Sequence, residues 1–232
     1  MNTLIAYHGK KSVKTKYVNR VKAHAKADEI IKGTYWQNGK GCAVGCTIEG
    51  SEHERYETEL GIPRLLARLE DGIFEGLPNE RAMKFPLQFL EAVNVGVDLS
   101  SVFPKFMFWL LGDKKDGVLK YAKTDAQKKA IKRVIALYKN KIAGKEVTQE
   151  DWRKARSAAY AAAADADAYD AAAAAYAAAA DADAADAAYA AAYAAAAAAA
   201  YAAYAAYAAA AAQQQARIKQ ADKLLELIKE CN

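Results

Sequence analysis

The stretch KIAGKEVTQEDWRKARSAAYAAAADADAYD, residues 141–170, decides how this 232-residue chain is read. It holds the last of thirteen glycines, Gly144, and all four prolines lie before it. Beyond that point nothing obligatory breaks a helix. Thr148-Gln-Glu-Asp151 has the spacing of a reciprocal helix cap, so a helix is expected to start there. Residues 157–212, which follow, are 41 alanines, eight tyrosines, six aspartates and one serine. Alanine is the strongest helix former, so this low-complexity tract reads as helix and not as disorder. A single helix from 148 to 230 would be about 120 Å long, so at least one reversal is expected.

The tract repeats itself. YAAAADADAYD at 160–170 returns as YAAAADADAAD at 176–186. A 16-residue offset turns a helix by about 160°, so in one unbroken helix the two copies would face nearly opposite sides. The aspartates fit better as helix starts, where a carboxylate caps free amides at the positive end of the dipole. Reversals are therefore expected near 165–170 and 181–186, with a further turn at 213–215. Tyr189, Tyr193, Tyr201, Tyr204 and Tyr207 fall within about 120° of one another, giving 187–212 one tyrosine face. The closing helix, 216–230, carries Ile218, Leu224, Leu225, Leu227 and Ile228 and is expected to dock on the front part.

Before Gly144 the composition is ordinary and reads as a series of short helices. One covers 13–32, with Val13, Tyr17, Val21, His24 and Ala25 toward its apolar side, and ends at Gly33. Ser51-Glu-His-Glu54 has capping-box spacing and predicts a helix to Gly61. The next follows Pro63, carries Leu65, Leu66, Leu69, Ile73 and Phe74, and ends near Gly76. On it Glu70, Asp71 and Glu75 read as a solvated face in preference to a carboxylate cluster. Pro86 and Pro104 are expected to open two more helices, and Thr124-Asp-Ala-Gln127 a third. Residues 47–49 and 117–122 are the two strand candidates. The fold class is all-α: a helical front domain with a Gly/Cys loop, 1–144, and an Ala-rich helical hairpin or bundle, 145–232, packed on it.

The formal charge is +5. Residues 1–40 carry nine Lys or Arg against two acids, and 157–212 carry six Asp with no basic residue. The two are expected to face each other; nucleic-acid binding is disfavoured, since no zinc finger, aromatic RNA motif or helix-turn-helix stands out. Three cysteines do not form a disulfide framework. The opening MNTLIAYHGKK lacks the charge order of a signal peptide, and an Ala/Tyr tract is a poor membrane anchor, so a cytoplasmic protein is expected. Ala and Tyr helix faces suit packing within one chain or a homo-oligomer.

Chemistry concentrates in WQNGKGCAVGCTIEGSEH, 36–53. A catalytic thiol would use Cys42 or Cys46 as nucleophile, with His53 as base and Gln37 as an oxyanion donor. A metal site would use Cys42, Cys46, His53 and Glu57 or Glu59, a donor set that suits zinc. A binding loop would present Gln37, Gly39, Lys40, Gly41 and Gly45 to an anion, through backbone amides and a cation. The plain alternative makes Cys42 and Cys46 small buried hydrophobes and the glycines turn formers.

GKGCAVGCT (39–47), ELGIPRLLARLEDGIFEGLPNE (59–80), VGVDLSSV (95–102) and QADKLLELIK (220–229) together resemble a family of uncharacterised proteins of bacteria and their phages that share an Ala-rich C-terminal tract. The resemblance spans nearly the whole chain and implies no activity. The leading expectation is a non-catalytic binding protein for an anionic small ligand, such as a nucleotide signal, or for a host protein in phage counter-defence. The alternative is a thiol hydrolase or transferase built on Cys42 or Cys46 with His53. A third reading, ice or surface binding by the Ala-rich helix, lacks the regular hydroxyl array it needs.

Overall fold

The computed structural model describes residues 4–122, 124–163 and 209–231. The fold is all-α. Among the described residues the one sheet is a two-stranded hairpin, β1 (Trp36–Gln37) and β2 (Lys40–Gly41). The helices are α1 (Lys11–Lys26), α2 (Ala43–Ile48), α3 (Arg64–Gly76), α4 (Asn79–Ala92), α5 (Val102–Gly112), α6 (Asp125–Ile142), α7 (Gln149–Ala163) and α8 (Ala209–Lys229). None of the described helices is long and apolar enough to cross a membrane. The reversals expected at 165–170 and 181–186 and most of the tyrosine face fall outside the described residues.

The chain divides into two units: residues 1–103 with 217–232, and residues 104–216. In the first, α1 packs on α4 and α2, α2 on α3 and α4, and α3 on α4. Tyr7, Tyr17, Tyr56, Phe74, Phe85 and Phe89 are fully buried there, and so are Leu224 and Ile228 of α8. Burial of that much aromatic and aliphatic surface is the main force holding the unit together. Arg81 pairs with Asp222 at 2.5 Å, and the Arg217 side chain lies over Gly76. In the second unit α6 and α7 form a helical hairpin in which the rings of Tyr138 and Trp152 meet at 5.0 Å.

Several local expectations are corrected. The helix α8 runs straight through 213–215, where a turn was expected; three glutamines carry no breaking tendency. Pro86 does not open a helix but sits inside α4, which begins after Pro78. Residues 51–54 are not helical: Ser51 Oγ contacts the Glu52 carboxylate, and only a short π-type turn, Tyr56–Leu60, forms before Gly61. Thr47 and Ile48 belong to α2, and 118–121 is a short 3-10 turn, so neither strand candidate is a strand. The real strands flank Asn38-Gly39, whose φ values of 52° and 80° make the left-handed two-residue turn that joins tight hairpins. Thr124 and Thr148 do cap α6 and α7.

Candidate functional site

After α1 the chain turns at Asp28 and lays Glu29–Ile31 beside β2. Gly41 N–H donates to Glu29 O at 3.0 Å, and Ile31 N–H donates to Gly41 O at 2.8 Å. The hairpin then delivers Cys42 to the start of α2, where its Sγ accepts from Gly45 N–H at 3.4 Å. The Tyr35 carbonyl closes over this turn. A Cβ on Gly41 would lie 2.2 Å from that oxygen, and one on Gly45 only 1.5 Å. Both positions therefore require glycine for close approach, not for anion binding.

Residues expected in the anion loop are accordingly spread between two roles. Asn38 and Gly39 form the turn, Gln37 and Lys40 are exposed on the hairpin, and the Gly41 and Gly45 amides are already taken. Cys46 and Cys42 are both buried free thiols, but they serve different surroundings. The Cys46 thiol donates to Gly41 O at 3.3 Å and lies by Glu29 O. Burial pushes it up to about 12, with Glu29 and Glu49 adding to the rise. Glu57 accepts from the Arg64 amide at the start of α3, and Glu59 is held by Tyr17 and Arg55. The set Cys42, Cys46, His53, Glu57 is thus not brought to one point.

Cys42 instead meets α3. Its Sγ and the carboxylate oxygens of Asp71 and Glu75 all lie within 4.8 Å of one another. His53 lies beside Asp71, its Nε2 being 3.8 Å from Asp71 Oδ2. The Tyr35 ring stands edge-on to the His53 ring at 5.4 Å. Behind Asp71, Glu70 is fully buried and accepts from Tyr56 Oη at 2.9 Å. Glu75, on the outer side, takes the Gly33 amide on both oxygens at 3.1 and 3.0 Å. The expectation of a solvated carboxylate face on this helix is corrected for Glu70 and Asp71, which are 0% and 5% exposed.

The electrostatics of this cluster are unbalanced. Asp71 and Glu75 stand four apart on one helix, a repulsive spacing for like charges. Burial, then the charge and hydrogen bond of Asp71, push the Cys42 thiol well up. Burial, with Asp71 adding, raises the Glu70 carboxyl well above its ordinary range, against the lowering effect of Tyr56. Glu75 is raised as well, by burial first; the Gly33 amide and Lys32 act the other way. Lys32 itself reaches the Leu77 carbonyl. Three buried polar atoms here have no hydrogen-bond partner: His53 Nε2, Glu70 Oε1 and Asp71 Oδ1. Leaving such groups unsatisfied costs about 1–3 kcal/mol each.

A signal for Glu70 was present in the sequence. It is spaced three or four residues from Leu66, Ala67, Ile73 and Phe74, all buried, so the helical period places it on the inner face. The pairing of Asp71 and Glu75 carries no such signal, because their partner Cys42 is 29 and 33 residues away and is brought in by the hairpin. The chain matches no known protein-family model, no curated protein and no solved structure.

Proposed function

We propose that this chain is a non-catalytic binding protein whose ligand is a cation, held among Cys42, His53, Glu70, Asp71 and Glu75. One observation carries the reading: Asp71 Oδ1 is a buried acceptor without a donor, and Asp71 clusters with a second carboxylate, Glu75, and a thiol, Cys42. Buried carboxylates are ordinarily paired or coordinate metals. A bound cation would satisfy the Asp71 oxygen and offset the repulsion between Asp71 and Glu75 along α3. The anion-binding expectation has less support, since the Gly41 and Gly45 amides are engaged within the chain. Native mass spectrometry of the purified chain, before and after chelation and after addition of ammonium ions or divalent cations, tests this. Retention of a cation that is lost in Asp71→Asn is expected. A chain that neither retains nor takes up any cation overturns the reading.

A second reading uses the same residues as a thiol enzyme, with Cys42 as nucleophile, His53 as its base and Asp71 orienting the imidazole. It is favoured by the position of Asp71, which lies against both Cys42 and His53. It requires a reactive thiolate, and Cys42 is 1% exposed with its thiol pushed up. Mass mapping after iodoacetamide separates the two: an enzyme nucleophile labels ahead of the partly exposed Cys231, whereas a cation ligand stays protected.

A further inference from the structure

We infer that the cation is a zinc-class divalent metal ion coordinated by Cys42 Sγ, Asp71, Glu75 and His53 Nε2. The inference rests on the cation-binding reading and adds which ion and which atoms. The donor set is one sulfur, one imidazole nitrogen and two carboxylates. Calcium and magnesium prefer all-oxygen cages, whereas thiolate with imidazole selects zinc and its neighbours. The geometry agrees. Zinc arms of about 2.0–2.3 Å in a tetrahedron give donor–donor edges of about 3.3–3.8 Å. The His53 Nε2 to Asp71 Oδ2 separation is 3.8 Å, and the Cys42, Asp71 and Glu75 donors are all within 4.8 Å of one another. His53 Nε2 lies outside the set of donors mutually within 4.8 Å, so ligation requires side-chain rotation of His53 as well as of the exposed Glu75.

The rest of the site is already built around those donors. His53 Nε2 is buried and has no hydrogen-bond partner, with Asp71 Oδ2 at 3.8 Å, and the Tyr35 ring stands edge-on to its ring. Asp71 also keeps one buried oxygen without a partner. Glu70 lies behind it, bonded to Tyr56 and set to support the ligands from the second layer. On binding, the Cys42 thiol gives its proton to solvent and coordinates as thiolate, its charge balanced by that of the ion. Cys46 takes no part, since its thiol points to the Gly41 and Glu29 carbonyls.

The test uses the full chain, stripped with chelator and titrated with Co²⁺, then Zn²⁺. One equivalent of Co²⁺ is expected to give intense tetrahedral visible bands and a near-ultraviolet thiolate-to-cobalt band, both abolished by Zn²⁺. Cys46→Ser should keep the thiolate band and Cys42→Ser lose it; Asp71→Asn should weaken binding at least about tenfold. Cobalt binding without a thiolate band, or preference for Ca²⁺ or Mg²⁺, overturns the inference and leaves the cation reading standing. Binding of no cation overturns both. Loss of the band in a folded Cys46→Ser but not in Cys42→Ser overturns the assignment of the sulfur. Should Cys42→Ser fail to fold, the wild-type chain decides. Zn²⁺ should then shield Cys42 from iodoacetamide after mild urea loosening, with Cys231 still labelled, and equal labelling with and without Zn²⁺ overturns the inference.

Discussion

Single atoms set the limits of this site. Gly45 has no room for a methyl group, because a Cβ would sit 1.5 Å from the Tyr35 carbonyl oxygen. Gly45→Ala must therefore push back the backbone at Tyr35, just before β1. A cost of about 1–3 kcal/mol is expected, read as a lower urea midpoint. A change under a few tenths would show that the Tyr35 backbone yields freely. Glu59 shows how a carboxylate behaves when its partners are present. Burial alone would raise it, but Tyr17 and Arg55, with help from Lys16, hold it below its ordinary range. Its folded value is thus lower than its unfolded one. The stabilisation it gives is present above the unfolded value and is lost as pH falls through the folded value. Wild type should exceed Glu59→Gln in stability at about pH 7, and that gap should narrow as pH falls below the ordinary glutamate range and through the lowered folded value; a gap independent of pH contradicts this assignment. Glu70 and Asp71 differ from Glu59 in their partners: Glu70 has the Tyr56 hydroxyl, and Asp71 has the His53 imidazole at 3.8 Å, whereas Glu59 has a guanidinium at 2.5 Å. That difference in partners cannot be read from residue types along a chain.

At the scale of elements, two capping-box patterns had opposite outcomes. Thr124 and Gln127 exchange side-chain and backbone bonds, and an 18-residue helix follows. Ser51 and Glu54 have the same spacing, yet Ser51 turns to Glu52 and no regular helix forms there. The cap only opens a helix; burial of a face over several turns sustains it. The α6 helix buries Ala130, Ile131, Val134 and Tyr138 at helical spacing, whereas between 51 and 61 only Tyr56 and Leu60 are large and buried. Thr124→Ala should therefore cost about 1 kcal/mol in urea unfolding and speed amide exchange in the first turn of α6. Ser51→Ala should stay within about 0.5 kcal/mol of wild type; a loss as large as that of Thr124→Ala would mean that the Ser51 turn has been misjudged. The hairpin escaped the sequence for a related reason. Strands of two residues show no alternation, and Asn38-Gly39 was its only local mark.

At the scale of the molecule, the change in composition at Gly144 does not mark where compact units divide. The division falls at 103/104 and at 216/217, inside α5 and inside α8. Composition reports which residues favour helix, while unit membership depends on where apolar faces are buried. The apolar face of α8 was legible from Leu224, Leu227 and Ile228, and from Arg217 onward this helix belongs with residues 1–103. Two kinds of contact tie it there, and their magnitudes rank them. The Arg81–Asp222 pair is 30% and 59% exposed, so it contributes at most about 1 kcal/mol. Leu224 is 0% exposed, and its truncation removes buried methyls and leaves a cavity. Leu224→Ala should cost about 2–5 kcal/mol and Asp222→Ala less than about 1 kcal/mol, measured by urea unfolding of the full chain. Hydrogen exchange gives the location: in Leu224→Ala, protection should fall in α4 around Phe85 and Phe89 and in α8 beyond Arg217. The reverse ranking of the two variants would mean that charge, and not the leucine face, holds the last helix in place.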